Sequence, residues 1–362
     1  MSAEKSDYER EHDSPAYTLL TGAEVEDAPG TEWLVKGVLP TQGVAAIYGP
    51  SGSGKTFLAL DLALTLAGGT KWFGHRIPRT VPVVYAPLEA RGGIKLRLRA
   101  WRAARGSDDH PSGLRVLGAS QMSLLSPADV DALGRCIVDG IGPGSVIVLD
   151  TLHRAMAGAD ENSASDMGSV IDGAQQLQGL TGGLVILVHH SGKDATKGMR
   201  GSSALFAAMD AVVAVAADGS GTQRRWTLEK SKDGEAGAGA SFRLRQVSWG
   251  LDADGEPLNS CVVEECQTQA LPVKEPRGAN QRLALQKVRA MLANGAETPD
   301  WKGLTKRASI DGIAAELAEE GAPADRCRDR AAEALNGLIS AGYLVRQGDL
   351  LSPDRTLISE PQ

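Results

Sequence analysis

Aromatic side chains and cysteines are both scarce in this sequence. Aromatic residues make up only 4% of its 362 positions although 42% are hydrophobic, so we expect a core built from Ala, Val, Leu and Ile. None of the four cysteines forms a Cys-x-x-Cys pair suited to zinc. Their distribution is typical of reduced thiols in a cytoplasmic protein, which is the location we expect.

Long apolar runs and a net positive charge are also lacking. No stretch approaches the ~18 consecutive apolar residues of a membrane span, so we expect no membrane contact. Residues 1–15 are rich in Glu, Asp, Lys and Ser and lack the apolar core of a secretory signal. The net charge of −7 argues against coating nucleic acid through overall positive charge, but it is compatible with a local basic channel.

The length suits one large α/β domain and a smaller one. Residues 1–30 show little periodicity and predict a flexible tail. Over 31–266, short apolar runs alternate with helical patterns and later give way to strand-turn-strand patterns. This predicts a mostly parallel sheet with added antiparallel edge strands. Residues 267–280, which contain Pro272, Pro276 and Gly278, predict a linker.

Residues 281–362 predict a small separate unit. Helices are expected at 281–293, 310–319 and 324–341, followed by a strand, a turn and a strand, which is a winged-helix-like layout. The third helix mixes Arg326, Arg328 and Arg330 with acidic side chains. DNA contact and protein contact therefore remain alternatives for this unit.

A phosphate-binding loop is the strongest motif of the chain. The pattern Gly-x-x-x-x-Gly-Lys-Thr follows an apolar run at 43–48 and precedes a helical pattern at 57–67, as in a strand, P-loop and helix. Backbone N–H groups and the helix N-terminus would surround phosphates, the lysine would reach their oxygens, and the threonine could bind Mg²⁺. The motif is Gly49, Pro50, Ser51, Gly52, Ser53, Gly54, Lys55 and Thr56.

Two carboxylates follow later apolar runs. Glu89 ends the run that begins at Val81, and Asp150 ends the run Val146–Leu149. In an open parallel sheet, ligand sites gather at the carboxyl ends of the strands. A buried strand that delivers one acid near a P-loop is the Walker B pattern, which holds the Mg²⁺ shell. We therefore expect ATP and Mg²⁺ as ligands.

Two histidines and a basic loop follow the next apolar run. His189 and His190 end the run Leu184–Val188, and because side chains alternate along a strand, only one of them can face the nucleotide. The sequence does not decide which. The loop at 191–203 carries Lys193, Lys197 and Arg200, and either contacts a phosphate backbone or is a plain surface loop.

A basic helix is predicted at 91–105, with six basic residues and no acid. Helical spacing brings Ile94, Leu98 and Trp101 near one face. The arginines then form either a solvated face or a contact with nucleic acid or a neighbouring subunit.

In this order the motifs resemble those of RecA-like P-loop ATPases of the plasmid RepA-type hexameric replicative helicase family, over about residues 30–265. The resemblance implies that Lys55 and Thr56 bind phosphate and Mg²⁺ and that Asp150 completes the metal shell. It implies that Glu89 polarises the attacking water, since Thr151 stands where other ATPases place a glutamate after Walker B. It also implies that His189 or His190 senses the γ-phosphate.

Members of that family insert a basic residue into the site of the next subunit. Residues 229–234 resemble the corresponding motif, so Lys230 and Lys232 are candidates, with Lys232 in the position usually held by arginine. Arg200 is the competing candidate. The loops at 154–165 and 192–203 correspond to the family's channel-lining DNA loops, and the first of them is acidic here.

The resemblance implies a ring-forming motor, a hexamer that hydrolyses ATP at subunit interfaces and moves on single-stranded DNA as a replicative helicase. Replication proteins are expected partners. Because no arginine of the motifs is an obvious contact within the same chain, we expect the site to be completed by a neighbour. The alternatives are a regulatory or recombination ATPase that acts on protein partners or DNA without unwinding, and a non-enzymatic nucleotide-binding scaffold. Glu89, Asp150 and Thr56 disfavour the scaffold.

Overall fold

A computed structural model describes most of the chain. The described residues are 19–28, 30–89, 91–118, 121–161, 163–190, 203–218, 221–266, 276, 278–296, 303–319, 321–340, 343–347 and 350–353. The predicted loop with Lys193, Lys197 and Arg200 lies outside them, as does most of the predicted linker.

Sixteen strands and ten helices lie in the described part of the chain. The strands are β1 (Trp33–Val35), β2 (Leu39–Pro40), β3 (Gly43–Gly49), β4 (Lys71–Trp72), β5 (His75–Arg76), β6 (Val83–Pro87), β7 (Leu114–Val116), β8 (Val146–Asp150), β9 (Leu184–His190), β10 (Ala211–Ala217), β11 (Arg224–Ser231), β12 (Gly239–Leu251), β13 (Pro257–Cys266), β14 (Leu304–Thr305), β15 (Leu344–Gln347) and β16 (Leu350–Pro353). The helices are α1 (Gly22–Glu26), α2 (Lys55–Gly68), α3 (Arg91–Arg105), α4 (Pro127–Ile141), α5 (Leu152–Ala155), α6 (Ala164–Thr181), α7 (Ser203–Ala208), α8 (Ala279–Ala296), α9 (Lys306–Glu319) and α10 (Cys327–Ser340).

A nine-stranded sheet organises the large domain, in the order β13-β12-β11-β10-β3-β9-β8-β6-β7. The six strands from β10 to β7 are parallel, and β11, β12 and β13 add antiparallel pairs at one edge. This confirms the predicted α/β class with a mostly parallel sheet and antiparallel edge strands.

Helices cover both faces of the parallel strands, which explains why those strands are continuous apolar runs. On one face, α2 and part of α3 pack against side chains such as Val148 and Ile186. On the other face, α4 and α6 pack against Ile147 and Leu187. Alternate residues of each strand therefore enter different halves of the core, and the position of a residue within a strand decides which face it serves.

The carboxyl ends of four parallel strands meet at one edge of the sheet. Gly49 of β3 lies beside His190 of β9, and Pro87 of β6 lies beside Asp150 of β8. The P-loop, Glu89, Asp150 and the histidine pair are thus brought to one place, as the sequence predicts.

A long hairpin made of β12 and β13 packs on the basic helix α3. Ala100 of α3 is fully buried against Val247 and Val262 of the hairpin. The face of α3 that carries Ala100 is therefore covered by the hairpin, so it is neither solvated nor open to nucleic acid.

The C-terminal residues form a small unit with its own core, which includes Leu285, Ile313 and Leu335. Its elements follow the order α8, β14, α9, α10, β15 and β16, and the three strands form an antiparallel sheet. Helix α9 begins at Lys306, four residues before the predicted start, and Thr305 Oγ1 accepts a hydrogen bond from the Ala308 amide at that end. The winged-helix assignment stays a prediction.

The segment predicted as an N-terminal tail contains the short helix α1. Thr21 and Glu24 form a capping box, in which each side chain accepts from the other's backbone amide. Each residue of α1 is exposed. Among the helices of the described residues, none is long and apolar enough to cross a membrane.

Candidate active site

The P-loop lies between β3 and α2 and forms one wall of a cavity of about 270 Å³. Gly52 and Gly54 have φ angles of 78° and 96°, in the left-handed region that favours glycine. A Cβ atom on Gly54 would lie 2.9 Å from the Cδ atom of Arg224. The hydroxyl of Ser53 is buried and has no hydrogen-bond partner among the described residues. Such a loop at a helix N-terminus is suited to phosphate.

Lys55 is the buried cation of the cavity. Its ammonium donates hydrogen bonds to the carbonyls of Gly49 (2.9 Å) and Pro50 (2.8 Å). Burial lowers the pKa of Lys55 to about 8, although Asp150 and Glu89 act in the opposite direction. A phosphate group in the cavity would stabilise the charged form and replace the two carbonyls as acceptor.

Two oxygen ligands suited to Mg²⁺ lie together beside the loop. The hydroxyl of Thr56 is 3.3 Å from Asp150 Oδ1, so one ion of the size of Mg²⁺ could contact both oxygens. The other carboxylate oxygen, Oδ2, accepts a 2.6 Å hydrogen bond from the Tyr85 hydroxyl. Burial raises the pKa of Asp150, whereas the hydrogen bonds from Tyr85 and Thr56 lower it. The donor set fits Mg²⁺, and Thr56 and Asp150 are the residues that would hold it.

Glu89 lines the same cavity from the end of β6. Its Oε2 atom accepts a 2.9 Å hydrogen bond from Thr151 Oγ1, and the Glu89 amide donates to the carbonyl of Asp150 at 3.3 Å. The carboxylate is exposed to the cavity, where it could orient a water molecule. Thr151, the residue in place of a second glutamate, thus positions the first one.

The structure distinguishes the two histidines. His190 lines the cavity, with Nδ1 3.3 Å from Lys55 Nζ and Nε2 3.8 Å from Glu89 Oε2. Burial and the Lys55 ammonium lower the pKa of His190. His189 is fully buried and does not belong to the cavity lining. His190 is therefore the one placed to sense a γ-phosphate, a role that stays a prediction.

Arg97 also lines the cavity, a position that the sequence motifs do not predict. Its guanidinium lies over the ring of Phe57, 4.8 Å from the centroid, and its charge lowers the pKa of Asp150. An arginine of the same chain thus lines the cavity, although no arginine of the sequence motifs does so within the described residues, and completion of the site by a neighbour stays a prediction. Helical spacing could have found it, because Arg97 falls between Ile94 and Trp101 on the face that the sequence predicts to be buried.

Lys230 and Lys232, the two lysines proposed to enter the site of a neighbouring subunit, lie away from the cavity of their own chain. Lys230 donates to the carbonyls of Phe206 (2.8 Å) and Ala207 (2.7 Å) at the end of α7, and Lys232 forms a 2.7 Å ion pair with Asp210. β11 is antiparallel to β10, so these lysines lie near the amino ends of the parallel strands. They do not reach the cavity of their own chain, and a role in a neighbour's site stays a prediction. Arg200 lies outside the described residues.

Comparison with known proteins gives two findings. The crystal structure of the RadB recombinase is similar to this chain with a TM-score of 0.41 and 15% sequence identity, over 57% of this chain and 89% of that one. The sequence matches the AAA domain family over residues 10–196, a range that includes the P-loop, Glu89, Asp150 and the histidines. Since this match covers more than half of the chain, the protein belongs to the AAA domain family and is a P-loop ATPase.

Proposed function

We propose that the protein is a Mg²⁺-dependent ATPase that works as a ring-forming replicative helicase on single-stranded DNA. The observation that supports the hydrolytic part is the meeting of Lys55, Asp150 and Glu89 in one cavity, although these residues come from three distant parts of the chain. A scaffold that only binds nucleotide would not need a carboxylate at the Glu89 position.

Each residue of the cavity has a separate role in the proposed hydrolysis. Lys55 would exchange its two carbonyl acceptors for phosphate oxygens, and Thr56 and Asp150 would hold Mg²⁺, which neutralises phosphate charge when it is bound. Glu89, oriented by Thr151, would accept a hydrogen bond from the attacking water. His190, between Lys55 and Glu89, links the phosphate end of the site to the water end.

Turnover of two variants tests the hydrolytic site. Glu89→Gln keeps the shape of the side chain but removes its negative charge and its ability to accept a proton from water. We therefore expect turnover to fall by about 100-fold or more, with ATP still bound. Lys55→Ala should lose ATP affinity. Glu265→Gln, on the exposed side of β13, is the matched control and should behave as wild type. Full turnover by Glu89→Gln or by Lys55→Ala would remove that residue from its role.

The helicase role is supported by the order of the motifs and their resemblance to those of hexameric helicases. The competing function is a regulatory or recombination ATPase that does not unwind DNA. The net charge of −7 favours the competitor, as does the acidic segment after α5, where Glu161 pairs with His153 at 2.7 Å. ATPase stimulation by single-stranded DNA that weakens steeply with salt, together with unwinding of a forked duplex, would support the helicase. Turnover that ignores DNA would leave the regulatory ATPase.

A further inference from the structure

Tyr85 is the polar exception in a buried apolar strand. It lies in the middle of β6, is completely inaccessible to solvent, and has Val84 and Ala86 as neighbours. Packing alone does not require a hydroxyl at this depth, since an unpaired buried hydroxyl is costly.

The Tyr85 hydroxyl is directed at the metal ligands. It donates to Asp150 Oδ2 at 2.6 Å and lies 3.4 Å from the carbonyl oxygen of Thr56. Tyr85 is paired with Val148 of β8, so Asp150 is its diagonal neighbour on the sheet face that carries α2. The phenol thus touches both residues that fit Mg²⁺.

The two oxygens of Asp150 have different partners. Oδ2 is bound by Tyr85, and Oδ1 faces the hydroxyl of Thr56. With Oδ2 held, the plane of the carboxylate is fixed and Oδ1 is directed toward the place where an ion would also contact Thr56. Without Tyr85 the carboxylate could rotate, and the ligand would have to be ordered when the ion binds.

We propose that Tyr85 is a positioning residue for the Mg²⁺ ligand Asp150. The role rests on the proposed Mg²⁺-nucleotide site, and it gives Tyr85 no contact with the nucleotide itself. Loss of the hydroxyl should therefore weaken nucleotide binding only when Mg²⁺ is present.

The test is the affinity of the full-length protein for a fluorescent ATP analogue, measured in EDTA and in saturating Mg²⁺. In Tyr85→Phe we expect an unchanged affinity in EDTA and a Mg²⁺-dependent gain that is about tenfold smaller than in wild type. Tyr48→Phe is the matched control, because Tyr48 donates a similar 2.5 Å bond to Glu229 and does not line the cavity. Tyr48→Phe should keep the full Mg²⁺-dependent gain in affinity.

A double-mutant cycle separates positioning from packing. Since Tyr85 acts through Asp150, Tyr85→Phe should cause no further loss of the gain in an Asp150→Ala background. A wild-type gain in Tyr85→Phe, equal losses with and without Mg²⁺, or additive losses in the double variant would each overturn the proposal. If wild-type protein itself shows no gain from Mg²⁺, the proposed function fails, and the role of Tyr85 fails with it.

Discussion

Arg97 changes the charge balance that the motifs alone suggest for the cavity. With Lys55 it provides two cations from one chain, beside the acids Glu89 and Asp150. A γ-phosphate could therefore be partly neutralised without help from a neighbouring subunit.

Replacing Arg97 by Gln should reduce ATPase efficiency. We expect kcat/KM to fall by roughly tenfold, because one charge-assisted contact to a phosphate is lost in a half-buried setting. Arg99→Gln is the matched control, since Arg99 is on the same helix but exposed. Equal kcat/KM values for the two variants would show that Arg97 has no part in the site.

Several site residues could be predicted from the sequence, because their signals are local. The P-loop, Glu89 and Asp150 each stand directly after an apolar run, and parallel strands bring such ends together. The sequence could not decide whether His189 or His190 lines the cavity, because that depends on which face of the sheet each residue of β9 occupies. The contact between Tyr85 and Asp150 depends on the register of β6 against β8, across 65 residues of sequence, and no local pattern encodes that register.

At the scale of elements, α2 carries an ionisable group into the core. Asp61 is 9% exposed, accepts a hydrogen bond from the Trp72 indole (3.2 Å) and lies 3.5 Å from Arg105 of α3. Burial raises the pKa of Asp61 to about 6, and the two partners offset only part of that effect. The P-loop helix is therefore joined to α3 by a pair that is charged at neutral pH at some cost to stability.

The stability of the fold should depend on the protonation of Asp61. Its pKa is about 6 in the folded state and roughly 4 in the unfolded state, so the folded state binds the proton more tightly. The contribution of Asp61 is then most favourable below about pH 4 and is lost as the pH rises through about 6. Asp61→Asn cannot ionise.

The difference in unfolding free energy between Asp61→Asn and the wild type should change with pH. From pH 4.5 to pH 7.5 it should shift by about 2 kcal/mol in favour of the variant. Denaturant titrations at a series of pH values would measure this difference. A difference that stays constant with pH would contradict the assignment.

At the scale of the whole molecule, Lys230 and Lys232 lie near the amino ends of the parallel strands, whereas the nucleotide cavity lies at their carboxyl ends. β11 begins at Arg224, near the P-loop, and ends at Ser231, a length of about 23 Å at 3.3 Å per residue. A lysine side chain cannot bridge that distance. If Lys230 or Lys232 serves hydrolysis, it does so in another copy of the chain.

Mixing two inactive variants tests for such a shared site. Lys55→Ala damages the cavity, whereas Lys232→Ala leaves the cavity intact and removes the basic residue proposed to enter the neighbour's site, together with its ion pair to Asp210. In mixed rings some interfaces would pair an intact cavity with an intact Lys232, so we expect the mixture to regain a substantial fraction of wild-type turnover. Sedimentation with nucleotide should show the ring. No recovery in the mixture, or a strict monomer, would contradict completion of the site by a neighbour.

The nine-stranded sheet has a consequence for how this domain can be divided. The family match ends at residue 196, yet β10, one of the two strands that pair with β3, lies beyond it, and β12 contributes Leu244 to the cavity wall. The buried side chains of Trp226 and Phe242, next to the P-loop helix, also come from beyond the match. A fragment that stops where the family match stops would leave β3 with β9 alone as a neighbour and would remove Leu244 from the cavity wall. The portable unit of this enzyme, for expression or for exchange between proteins, therefore extends to the end of β13.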